Sequence, residues 1–304
     1  MADFAHPVRG RVITRRTFLV GLAGVAAGFV IRPLVAAAPG LASELTPSLL
    51  SAPLDLGGVW KSSPADAVLR VLSRVRAVSL EGLRLLSDRQ PDRLHVDNHP
   101  SGWPAVWLHN DHTNTAWIIV DIGPADWCKL SYQFGHELGH VLCNSWNAQS
   151  KPRVPCQWLE ESMVEAFSIR GLGRLAASWE SNPPFAGDAA FGAAIREYRE
   201  NLIKQYRGAG GQMSDAEMAS WFRASRRALE GNALNGIEGP FIVRVAGELE
   251  RDNACVEDLG GLNRWPSRSG VPLEDYLTLW GRSCAEVHAR GQLPARLRSL
   301  LLVS

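Results

Sequence analysis

The chain has 304 residues, with 32 Lys and Arg against 31 Asp and Glu, and 46% of its residues are hydrophobic; this composition excludes a disordered or collagen-like chain and leaves a globular one. Five arginines (Arg9, Arg11, Arg15, Arg16, Arg32) and one acid, Asp3, fall in residues 1–42, so the remainder holds 27 basic and 30 acidic residues, a net charge of −3. A slightly acidic body without Lys/Arg blocks has no surface for gripping nucleic acid, and no nucleic-acid partner is expected.

Thr14-Arg15-Arg16-Thr17-Phe18-Leu19 sets two arginines directly before an apolar run of 14 residues, Phe18 to Ile31. This segment resembles a twin-arginine export signal. The run is shorter than the ~20 residues that span a bilayer, and Arg32 and Pro33 close it. Small residues follow from Val35 to Ala42, and Pro39 disfavours a cut after Ala38, so cleavage is expected after Ala42. The resemblance implies the twin-arginine export machinery as a partner and a periplasmic or secreted product with no stable membrane span. An uncleaved N-terminal anchor is the alternative.

Ser63-Pro64-Ala65-Asp66 predicts a helix start with Ser63 as N-cap, and Val68, Leu69, Leu72 and Val75 continue it at helical spacing. Strand-like runs follow at Arg93 to Asp97, Ala105 to His109 and Ala116 to Ile122. Beyond Pro124 the pattern is helical, and Ser214-Asp215-Ala216-Glu217 reads as a capping box opening a helix that Gly231 ends. The expected fold class is α+β: a helix and small β-sheet over residues 43–125, then a larger helical lobe over 126–304.

His136-Glu137-Leu138-Gly139-His140 reads as H-E-x-x-H, which puts two imidazoles one helical turn apart, able to share one metal ion. On a helix from Trp127, the residues Trp127, Leu130, Phe134, Leu138, Val141 and Leu142 form one face, while Gln133, His136, Glu137 and His140 form the other. The histidines therefore point away from the helix's own apolar side. A catalytic zinc site needs a third protein ligand, and the next acids downstream are Glu160, Glu161 and Glu165. On a second helix Glu161, Glu165 and Ser168 share a stripe about 60° wide, while Trp158, Leu159, Met163, Val164, Phe167 and Ile169 occupy most other directions. Carboxylates on a helix that is apolar nearly all round are costly unless paired or bound to metal.

H-E-x-x-H, 20 intervening residues, then Glu161 with Glu165 four further on, resembles the gluzincin metallopeptidases. Trp158-Leu159-Glu160-Glu161-Ser162 is similar to the W-L-x-E-G segment of the aminopeptidase branch, with Ser162 in place of Gly. The resemblance covers Trp127 to Phe167 and implies a zincin-like lobe with the active site between it and the sheet. It also implies Zn²⁺ held by His136, His140 and Glu161, and Glu165 bracing a ligand histidine. Metzincins are excluded, because Cys143 and Trp146 stand where that family needs Gly and a third His. A deformylase-like Cys ligand, Cys143 or Cys156, lacks its Gly-Cys-Leu context.

The implied activity is hydrolysis of peptide bonds in a peptide or protein substrate, with Glu137 as general base. The alternative is a non-catalytic zinc-binding protein that keeps this fold for binding or structure. By the same resemblance, the strand from Ala116 to Ile122 forms the cleft edge, and a Tyr or His stabilises the oxyanion; His112, Tyr132, Tyr198, Tyr206 and Tyr276 are candidates. Asn232 and Asn235 stand where aminopeptidase-like sequences carry a Tyr. In an oxidising compartment Cys143 with Cys156, and Cys255 with Cys284, are candidate disulfides.

Overall fold

The computed structural model describes residues 48–302 apart from 61–62, 85–86, 100–103, 110, 113, 209–210 and 232–235. The expected export signal and Asn232 and Asn235 lie outside the described residues. After a short helix α1 (Ser48–Ser51), strands β1 (Leu54–Gly58), β2 (Arg93–Asn98), β3 (Ala105–Trp107) and β4 (Thr115–Val120) form a sheet in the order β1-β2-β4-β3. β1, β2 and β4 run parallel, with helix α2 (Ala65–Ser79) crossing from β1 to β2, and β3 pairs antiparallel with β4.

Alternation along the strands sends Leu94, Val96, Ala116, Ile118 and Val120 into the core, all fully buried. His95, Asp97 and Trp117 point to the opposite face, where the His95 ring packs on Trp117 at 4.2 Å between centroids. β4 stops at Val120 and not at Ile122 because the buried Asn98 side chain takes over the ladder. Its Oδ1 accepts from the Ile122 N–H at 3.1 Å, and its Nδ2 donates to the Val59 carbonyl at 2.8 Å. β4 lies between β2 and β3, so the expected cleft-edge strand has no free edge; the edge on that side is β3.

The helices that follow are α3 (Trp127–Leu142), α4 (Gln157–Ser181), α5 (Phe191–Arg207), α6 (Asp215–Gly231), α7 (Gly239–Arg251), α8 (Asn253–Glu257), α9 (Leu273–Glu286) and α10 (Gln292–Leu301). The architecture is α+β. α4 is its axis, packing against α2, α3, α5 and α7. The capping box at α6 is present: the Ser214 N–H donates to Glu217 Oε2 at 2.8 Å, and the Glu217 N–H donates to Ser214 Oγ at 3.3 Å. Ser63 does not cap α2. The N-cap position is Pro64, and Ser63 Oγ instead accepts from the Ala125 N–H at 3.0 Å, tying the start of α2 to the loop before α3.

All five cysteines are free, which corrects both expected disulfides. Cys156 Sγ donates to the Val271 carbonyl at 3.2 Å, and Cys284 Sγ lies 3.6 Å from the Asp258 carbonyl, so each thiol is engaged with backbone and not with another sulfur.

Candidate metal centre

Asp126 caps α3 by accepting from the Lys129 N–H at 3.3 Å, and the apolar face of the helix buries Leu130, Phe134, Leu138, Val141 and Leu142. The opposite face is not solvent. α4 covers it, running antiparallel with Ser168 opposite Gly135 and Val164 opposite Gly139. A Cβ at Gly139 would stand 2.9 Å from Val164 Cβ and 3.2 Å from Phe167 Cδ1. The missing side chain therefore lets the two helices approach closely. Glu137 and His140 are consequently buried, while the His136 side chain keeps 18% exposure.

His136 Nε2 and His140 Nε2 lie 3.5 and 3.3 Å from one oxygen, Oε2 of Glu161. Donor atoms of the three residues all fall within 4.8 Å of one another, so the group could hold a metal ion. The edges of a tetrahedron about zinc, with ligand bonds of 2.0–2.1 Å, are about 3.4 Å, which both measured separations approach. The donor set of two imidazoles and a carboxylate suits such an ion.

Each ring is held from behind by its own carboxylate. His136 Nδ1 lies 2.8 Å from Glu165 Oε2, and His140 Nδ1 lies 2.8 Å from Glu160 Oε1. A carboxylate at Nδ1 keeps the proton there and turns the Nε2 lone pair towards a metal. Burial opposes a charge on His136, but hydrogen bonds to Glu161 and Glu165 and the nearby Glu137 outweigh it and push the metal-free ring up to about 10.

Glu160 was among the three acids the sequence offered, yet only the structure gives it a role. Its second oxygen accepts from Asn263 Nδ2 at 2.8 Å. No spacing rule reaches from the histidine motif to Asn263. Glu238, at the N-cap of α7, was also missed; it is 9% exposed, and its Oε2 is buried with no hydrogen-bond partner. Burial raises its pKa, with the charges of Glu161 and Glu165 adding to the effect.

The oxyanion candidates separate. Tyr276 donates its hydroxyl to Asn263 Oδ1 at 3.2 Å and is fully buried, so it is committed behind His140. His112 lies against Trp117, 5.2 Å between centroids, among the aromatic rings of the sheet's outer face. Tyr132 and Tyr206 stand beside the centre with hydroxyls 3.4 Å apart, and burial followed by the Glu165 charge raises both phenols. The Tyr198 ring packs on Tyr132 at 6.0 Å.

Comparison of the chain with protein-family models, with curated proteins and with solved structures finds no match. Among the described residues, no helix is long and apolar enough to cross a membrane.

Proposed function

We propose that the chain is an exported zinc-dependent metallopeptidase with a gluzincin-type centre: His136, His140 and Glu161 as ligands, and Glu137 as general base. The observation that carries this reading is the convergence of two imidazole Nε2 atoms on one Glu161 oxygen, each imidazole braced at Nδ1 by a separate carboxylate. A purely structural site has no need of the buried Glu137 beside it.

Zinc bound there supplies a Lewis acid and brings the pKa of a water down towards ~7. Glu137, buried beside these residues, would serve as the proton acceptor for an attacking water and the proton donor to the leaving amine, a task for a carboxylate that an amide cannot perform. Glu165 and Glu160 would keep the His136 and His140 rings in place. β3 is an edge strand of the described sheet and offers its edge to an extended peptide backbone. Tyr132 and Tyr206 are the hydroxyls best placed to meet developing negative charge.

The test is metal content and hydrolysis of a mixed peptide library by residues 43–304 and two variants. About one zinc per chain, lost in Glu161→Ala and kept without cleavage in Glu137→Gln, is expected. Zinc with no cleavage by the unaltered protein would favour the non-catalytic zinc-binding reading. Full zinc retention by Glu161→Ala would remove Glu161 as the third ligand.

A further inference from the structure

Asn263 lies between the 3-10 turn Asp258–Gly261 and α9, fully buried and in the left-handed conformation with φ 57°. Asn is one of the few L residues that visit this region. Its Nδ2 donates to Glu160 Oε2 at 2.8 Å and Ser145 Oγ at 3.0 Å, and the Cys143 carbonyl is a third acceptor at 3.3 Å. Its Oδ1 accepts from the Tyr276 hydroxyl of α9 at 3.2 Å. Both ends of the amide are therefore occupied by partners that suit only one orientation. Reversing it would set a carbonyl oxygen against the Glu160 carboxylate and the Cys143 carbonyl, neither of which can donate.

Glu160 is engaged at both oxygens, with Asn263 Nδ2 2.8 Å from one and His140 Nδ1 2.8 Å from the other.

We propose, resting on the metal-site reading above, that Asn263 is a positioning residue for His140: it pins Glu160 so that the imidazole keeps its proton on Nδ1 and presents Nε2 towards Glu161. Tyr276 locks the amide that does the pinning. The device reaches the centre from 103 residues beyond Glu160 and ties it to the C-terminal helices.

The test uses Asn263→Gly in the full chain, because glycine accepts φ 57° without strain and removes only the amide. Two quantities are read: zinc affinity by chelator competition, and the His140 tautomer in the metal-free protein by ¹⁵N NMR. The expected result is zinc binding weaker by about 10–100-fold and appearance of the Nε2–H tautomer in a protein that still folds but melts at a lower temperature, because the Glu160 oxygen and the Tyr276 hydroxyl lose this buried partner. Wild-type affinity with an undisturbed Nδ1–H tautomer would overturn the assignment. Tyr276→Phe should move both readouts the same way by less, and it carries the test if Asn263→Gly does not fold; wild-type values in Tyr276→Phe would then overturn it. If the unaltered protein binds no zinc, the metal reading fails, and the tautomer of metal-free Asn263→Gly alone decides whether Asn263 sets His140.

Discussion

Glu160 and Glu161 are adjacent in sequence and address opposite nitrogens of one ring: Glu160 Oε1 lies 2.8 Å from His140 Nδ1, and Glu161 Oε2 lies 3.3 Å from His140 Nε2. Successive residues on a helix diverge by about 100°, so both can reach His140 only because that ring lies between their directions. His136 repeats the pattern with Glu161 and Glu165.

Glu160→Gln tests the division of labour. Its single amide oxygen can accept from His140 Nδ1 without charge assistance only by turning its N–H₂ against Asn263 Nδ2, so zinc affinity should fall by at least about tenfold. Glu161→Ala should instead abolish stoichiometric zinc. Chelator competition on both proteins checks this, and equal losses would contradict separate roles.

Gly139→Ala should destabilise the fold by about 1 kcal/mol, because overpacking of ~1–3 kcal/mol against Val164 and Phe167 exceeds the gain of ~1 kcal/mol in helix propensity. Gly247→Ala, on α7 with nothing within 4 Å of the added Cβ, should show the propensity gain alone. Thermal unfolding of the two variants should give shifts of opposite sign.

His136 makes the metal-free protein sensitive to pH. Its folded pKa of about 10 lies above the ~6.5 of an unfolded imidazole, so its contribution to stability is complete below ~6.5 and is lost as pH rises through about 10. The melting temperature of the metal-free protein should fall across that window by more than that of His136→Gln. Zinc needs the neutral ring, so its uptake at pH 7 should release a proton, detected by calorimetry in buffers of different ionisation enthalpy.

The thiols offer a third chemistry. Thiol titration of the denatured, unreduced protein should find five groups, and reductant should leave the melting temperature unchanged. In the native protein even the partly exposed Cys128 should react slowly, since burial and the Asp126 charge push its thiol up to about 12.

Local chemistry made much of this fold legible in the sequence. Trp127 opens α3 as its periodicity implied, Ser214 and Glu217 cap α6, and the all-round apolar character of Trp158 to Ile169 marked α4 as a buried helix. β1 was not legible: Leu54-Asp55-Leu56-Gly57-Gly58 has weak strand propensity and is held by its parallel pairing with β2. Ser63 looked like a cap because the sequence cannot show that Ala125 competes for its hydroxyl. The candidate ligands share one turn spacing and a stripe, both readable along one helix. Asn263 and Glu238 enter through tertiary packing alone.

Asn263 and Tyr276 also impose an order of events during synthesis. The histidines and Glu161 have all emerged by residue 161 of a 304-residue chain, but the amide that orients Glu160 and the hydroxyl that locks it come more than 100 residues later. A partly made chain thus displays the ligands without the clamp behind His140. On the proposed metal reading, the candidate ligands are backed by this clamp only once the chain extends past Tyr276.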